Sequence, residues 1–250
     1  MKVFRLLKLP DFVSLLNLLF GMAAILFAFN GFNSASAVCC LIAAVADGAD
    51  GYIARKTSGG PLGSHLDSLI DTVSFGVAPA VLIYCMIGNY LSLSAGSLSA
   101  IISFLSIAVA CFYVICGVLR LARYNAFPSE KPEYSGVPIT AACVFIAVFV
   151  IFLDGSIKSS VELPLPYLFG FFFGVMLLLS LLMISTLTYP KVMKKLSFGL
   201  LALFFSAAIL SIFIDNVYVS IFPGILCLLM LLYLFSPVIR LLLKKESIKL

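Results

Sequence analysis

Eight apolar stretches of roughly twenty residues follow one another along this chain, and that pattern limits the fold more than any other feature. About 20 residues of α-helix span the hydrocarbon core of a bilayer. Lipid offers the backbone no hydrogen-bond partners, so stretches of this length must satisfy their own N–H and C=O groups as helices. None alternates with the period of two that a membrane barrel requires. Composition agrees: 63% of the residues are hydrophobic and 11% charged, against about 25% charged in soluble domains. The expected fold is all-α, a polytopic membrane bundle with spans at roughly 12–29, 35–56, 64–87, 97–124, 136–153, 166–188, 197–214 and 217–242. The segments between them carry Gly, Pro, Asn and Ser, which end helices. No cleavable signal peptide is expected, because the first apolar stretch lacks a small-residue cleavage site.

The charges fix an expected orientation. With eight spans, 15 of the 16 Lys and Arg residues fall on one side and only Lys158 on the other. That asymmetry predicts a cytoplasmic location for this side and for both termini. Lys2, Arg5 and Lys8 recur among apolar residues at the start of the chain. They suit either a short helix in the headgroup layer or a positively charged terminus. The seven cysteines all lie in apolar stretches without metal or disulfide spacing, and they read as small buried hydrophobes.

Against this background four acids stand out within 25 positions: Asp47, Asp50, Asp67 and Asp71. A carboxylate at a transmembrane helix centre costs about 2.5–3.5 kcal/mol on insertion scales, less near the ends. Residues kept at that cost are functional by default. Asp47 and Asp50 are three apart and Asp67 and Asp71 four apart. Each pair therefore shares a helix face, with Cβ atoms about 5–6 Å apart. Spans two and three are joined by a short loop and run antiparallel, so the pairs can face one another near one membrane surface. Hard oxygen donors suit Mg²⁺ or Mn²⁺. Four of them could hold two ions, the arrangement that clamps phosphate during in-line displacement. Gly48 and Gly51 leave room beside the acids for a ligand or a neighbouring helix, and Arg55 lies within reach of a diphosphate. Structural ion pairs with Arg55, Lys56, Arg120 and Arg123, or a cation-permeation path, are the competing readings. Transporters place such acids near the midplane, whereas these lie beside a polar loop. His65 sits two positions from Asp67 and points away from it on a helix.

Residues 47–71 read DGADGYIARKTSGGPLGSHLDSLID. This resembles the signature of the CDP-alcohol phosphotransferase family, D-x-x-D-G-x-x-A-R, a spacer, then G-x-x-x-D-x-x-x-D. Asp47, Asp50, Gly51, Ala54, Arg55, Gly63, Asp67 and Asp71 fill every fixed position. The resemblance implies a six-helix core, a homodimer and a cytoplasm-facing site. It implies two divalent cations, Mg²⁺ or Mn²⁺, among Asp47, Asp50, Asp67 and Asp71, with Asp71 also the general base. Gly51, Ala54, Arg55 and Gly63 would border the CDP group. The core would occupy residues 1–195, and residues 196–250 would add two helices.

Further stretches resemble the phosphatidylserine synthase branch of that family: SLLNLLFG (14–21), LDSLIDTVSFGVAPA (66–80), GVLRLARYNAF (117–127), GVP (136–138) and LMISTLTYPK (182–191). The implied substrates are L-serine and a CDP-lipid, either CDP-diacylglycerol or CDP-archaeol, with inositol phosphate or glycerol phosphate as alternative acceptors. No nucleic-acid partner is expected. Arg120 and Arg123 lie one helical turn apart at the cytoplasmic end of span four. A guanidinium can hold the serine carboxylate bidentately, and Asn125 could add a further polar contact. Tyr189 and Lys191 are weaker candidates for the same pocket.

Overall fold

A computed structural model describes residues 7–57, 62–92, 99–127, 133–158, 165–190 and 217–246. The basic start of the chain before Leu7, Lys191 and the expected span 197–214 lie outside the described residues. The helices are α1 (Leu9–Phe29), α2 (Asn33–Thr57), α3 (Gly63–Asp71), α4 (Ala78–Ser92), α5 (Ser99–Ala126), α6 (Ile139–Lys158), α7 (Leu165–Ile184) and α8 (Val217–Glu246). A single π-helical turn, Thr72–Val77, joins α3 to α4. Two short strands, β1 (Glu133–Ser135) and β2 (Thr188–Pro190), pair antiparallel with Tyr134 opposite Tyr189. Among the described residues, four continuous helical segments are long and apolar enough to cross a membrane: Leu9–Phe29, Asn33–Thr57, Gly63–Leu91 and Ser99–Ala126. Shorter apolar stretches lie in α6, α7 and α8. The architecture is an all-α polytopic membrane bundle.

The sequence explains how the first hairpin forms. Pro10 occupies the first turn of α1, where its missing N–H is no loss, and Asp11 Oδ2 accepts from the Lys8 N–H at 2.7 Å. The helix ends where Asn30 Nδ2 donates back to the Leu26 carbonyl, and Gly31 turns the chain at φ 79°. α1 and α2 pack together more extensively than any other pair. Small residues permit it: Ala24 and Ala28 on α1, and Ala37, Cys40 and Ala43 on α2, are buried. Opposite faces of α1 and α5 expose Leu19, Leu26, Phe104 and Leu119, as lipid-facing surfaces do.

α6 occupies the centre. Every residue from Ala142 to Ile151 is buried, so this helix is apolar on all sides and packed all round. It meets α2 on one side and α8 on another. On α7 the buried Phe172, Met176, Leu179 and Met183 recur at helical spacing, and α7 packs along α5.

The structure refines two expectations. The third span contains a π-turn within one continuous helix, and the sixth ends at Ile184, short of the expected limit near 188. The physical reason for the second is Arg123. Its Nη1 donates to the Ile184 and Ser185 carbonyls at 3.0 and 3.1 Å, and its Nη2 to the Ser135 and Met183 carbonyls at 2.6 and 3.2 Å. It thus satisfies carbonyls that a helix terminus leaves open. The chain then turns into β2. Gly136 N–H donates to Leu187 and Val137 N–H to Leu182. Gly136 has φ 76°, and a Cβ there would stand 2.3 Å from the Met183 carbonyl oxygen. Only glycine fits both constraints.

Gly136→Ala should therefore destabilise the protein. Strained backbone of this kind costs about 1–3 kcal/mol before the clash is counted. Thermal unfolding in detergent should show a lower Tm than wild type; an unchanged Tm would mean that the crossing of α5, α7 and the two strands does not depend on this glycine.

Candidate active site

The signature residues sit where α2 and α3 face each other. One carboxylate oxygen from each of Asp47, Asp67 and Asp71 comes within 4.8 Å of the other two. Helical spacing explains how: Asp67 and Asp71 lie one turn apart on α3, and Asp47 faces them from α2. All three are half-buried or buried. Asp50 also lies close enough to these carboxylates to interact with them electrostatically. It is itself held from α1, where Ser14 Oγ donates to Asp50 Oδ2 at 2.6 Å. Thr140 Oγ1, at the start of α6, donates to Asp47 Oδ2 at 3.4 Å. Asp71 Oδ1 is buried with no hydrogen-bond partner.

Like charges gathered at this distance in a low-dielectric setting repel strongly. An orphaned, buried carboxylate oxygen among them calls for a positive partner. The donor set is all hard oxygen, which fits a divalent cation of the Mg²⁺ or Mn²⁺ class. Arg120, buried at the end of α5, lies within electrostatic reach of Asp71 and supplies part of the counter-charge. A cation among the three carboxylates would supply the rest.

The remaining signature residues border the same region. A Cβ at Gly48 would meet nothing within 4 Å, so open space adjoins Asp47. A Cβ at Gly51 would lie 3.6 Å from Arg55 Nη1, which places the exposed Arg55 guanidinium over the Gly51 backbone. Ala54 is half-buried on the same helix. At Gly63 a Cβ would lie 3.4 Å from Asp11 Oδ1, so the start of α3 stands beside the start of α1. Asn125 Nδ2 donates to Ser68 Oγ at 2.8 Å, tying the end of α5 to the turn between Asp67 and Asp71. Arg123 does not join this group. Its two terminal nitrogens are engaged with backbone carbonyls around β1 and α7. Tyr189 is likewise structural: it is fully buried, and its hydroxyl donates to the Leu234 carbonyl at 2.9 Å. His65 is exposed.

The profile of the CDP-alcohol phosphatidyltransferase family matches residues 7–242, nearly the whole chain. The chain belongs to that family. It is a membrane-embedded transferase, and the permeation-path reading falls away. This CDP-alcohol phosphatidyltransferase is 34% identical over 194 residues to an archaetidylserine synthase of Methanothermobacter thermautotrophicus, covering 76% of this chain and 73% of that relative. It is 31% identical over 237 residues to a CDP-diacylglycerol–serine O-phosphatidyltransferase of Methanocaldococcus jannaschii, covering 94% and 96%. A Helicobacter pylori protein of the same description is 31% identical over 241 residues, covering 92% and 90%.

Ser14 and Thr140 were missed as site residues by sequence reasoning. A signal existed for the first. Asp11, Ser14 and Asn17 recur every three residues in an otherwise apolar helix, and all three are buried. Three buried polar residues on one face of a membrane helix point to something polar opposite. No comparable local signal marks Thr140.

The carboxylate cluster makes a thermal prediction. In chelator, Asp67→Asn should melt above wild type, because one of the crowded like charges is gone; a rise of roughly 2–4 °C corresponds to about 1 kcal/mol in a chain of this size. Added Mn²⁺ should raise the wild-type Tm and raise that of the variant less, since a ligand of the folded state stabilises it. Equal Mn²⁺ shifts in both proteins would exclude Asp67 from the metal site.

Proposed function

We propose that this transferase moves the lipid phosphoryl group of a CDP-lipid to the hydroxyl of L-serine and releases CMP. The observation that carries the reading is the cluster of Asp47, Asp67 and Asp71 that the family signature forms, with Asp50 beside it and Arg120 buried within electrostatic reach. The names of the relatives support serine as acceptor, and they cover both diacylglycerol and archaeol lipids. Both CDP-diacylglycerol and CDP-archaeol are therefore substrates to test.

Asp47, Asp50, Asp67 and Asp71 would hold two divalent cations, Mg²⁺ or Mn²⁺. When bound, such ions neutralise a diphosphate and stabilise charge developing on its oxygens. The protein's own groups then do the following. Gly51, Ala54, Arg55 and Gly63 border the CDP group, with the Arg55 guanidinium on the diphosphate. Arg120 receives the serine carboxylate in a charge-assisted contact, and Asn125, which is bonded to Ser68, is a further polar contact for serine. Asp71 accepts the serine hydroxyl proton. The serine oxygen attacks the phosphorus that carries the lipid, the bond to the bridging oxygen breaks, and CMP leaves with that oxygen. No Cys or His is positioned to form a covalent intermediate on the described residues, so both substrates are bound together.

On the same reading the site and both termini face the cytoplasm, and the chain works as a homodimer. The core ends near residue 195, and two helices follow it. The second of these, α8, packs on α6.

The decisive assay offers purified protein a CDP-lipid with serine, inositol phosphate or glycerol phosphate and reads CMP release. Serine alone should support turnover, and excess chelator should abolish it. Turnover with another acceptor but not with serine would overturn the acceptor assignment. A finer test concerns Arg120. Hydrogen bonds to charged groups contribute about 1.5–3 kcal/mol, so Arg120→Ala should raise the serine KM by roughly 10- to 100-fold. The KM for CDP-lipid should change little. Serine methyl ester should be a poor acceptor for wild type and lose little more in the variant. A normal serine KM in Arg120→Ala would move the carboxylate site elsewhere.

A further inference from the structure

The third membrane segment changes its winding immediately after Asp71. Across Thr72–Val77 the helix is π-type, and the Ala78 N–H reaches back five residues to the Val73 carbonyl. An isolated helix does not favour this widening, and single π-turns are frequent at functional sites. Here the surroundings hold it from three directions. From α1, the Asn17 carbonyl accepts from Ser74 Oγ at 3.2 Å. Gly21 stands so near on the same helix that a Cβ would lie 2.3 Å from Ser74 Oγ. From α6, Cys143 Sγ donates weakly to the Ser74 carbonyl at 3.8 Å. From α5, Tyr113 donates its hydroxyl to the Phe75 carbonyl at 3.2 Å. Ser74, Phe75, Tyr113 and Cys143 are all fully buried, so water cannot replace these contacts.

The turn controls where Asp71 points. A π-turn contains one residue more than the α-helix it interrupts, and one residue is about 100° of helix rotation. If the turn relaxed to α-helix, one flank would have to rotate. α4 is locked, with Leu82, Ile83, Met86 and Ile87 in the core. α3 is held less: it buries Ile70 and Asp71, packs on α1, and takes one hydrogen bond from Asn125 of α5 at Ser68. Rotation would fall on α3 and carry Asp67 and Asp71 away from Asp47.

We infer that Tyr113 is a positioning residue: by holding the Phe75 carbonyl it maintains the π-turn that directs Asp71 toward Asp47 and Asp67. The inference rests on the metal-site reading of those carboxylates.

The test is Mn²⁺ titration calorimetry on the full chain in detergent, with Tm measured in chelator alongside. Removing a group that orients metal ligands typically lowers metal affinity about 10- to 100-fold. Tyr113→Phe should weaken Mn²⁺ binding by at least about 10-fold and lower kcat, while leaving the serine KM unchanged. A lower Tm with wild-type Mn²⁺ affinity would overturn the inference, since Tyr113 would then serve packing alone. If Tyr113→Phe is not recovered folded, Gly21→Ala strains the same turn from α1 and should weaken Mn²⁺ binding likewise; wild-type affinity there would also overturn it. Asp71→Asn separates the two layers. Unchanged Mn²⁺ binding in that variant would overturn the metal reading, and the positioning role with it.

Discussion

Carboxylates brought within a few ångströms of one another inside a membrane bundle are unstable unless something positive joins them. The rest of this structure is arranged around that fact. Asp47 reaches the cluster from α2 and Asp67 and Asp71 from α3. The neighbouring helices contribute polar groups: Ser14 from α1 to Asp50, Thr140 from α6 to Asp47, and Arg120 from α5 toward Asp71, with Asn125 of α5 on Ser68. A single Arg⁺ cannot neutralise four acids, and Asp71 Oδ1 remains without a donor. The geometry is that of a site completed by a divalent cation and an anionic substrate.

Stability and chemistry are separated along the bundle. The apolar middle of α6, Ala142 to Ile151, and the small residues Ala24, Ala28, Ala37, Cys40 and Ala43 between α1 and α2 form a closely packed interior of uncharged side chains. Such interiors resist deformation. The reactive groups lie toward the ends of α2, α3 and α5, next to open space at Gly48. Arg123 belongs to the structural half despite its charge, because it fixes the end of α7 against the strands.

The spans were legible because lipid allows so few solutions for an apolar stretch of twenty residues. α1, α2, α5 and α8 begin and end within a few residues of the expected limits. The carboxylate cluster was legible because spacings of three and four place pairs on one helix face. What escaped was whatever depends on partners distant in sequence. Arg123 bonds carbonyls about 60 positions away, and nothing near it in sequence distinguishes it from Arg120. The π-turn is imposed by α1, α5 and α6, while its own sequence, TVSFGV, reads as ordinary membrane helix. Ser14 lies 36 residues from Asp50, and only the polar stripe on α1 hinted at the contact.

A manganese anomalous difference map from crystals of the full chain grown with Mn²⁺ and CDP tests whether the four acids hold divalent metal. Two peaks are expected between α2 and α3, ligated by Asp47, Asp50, Asp67 and Asp71 and touching the diphosphate. CDP bound at this place with no anomalous peak beside those carboxylates would rule the metal site out.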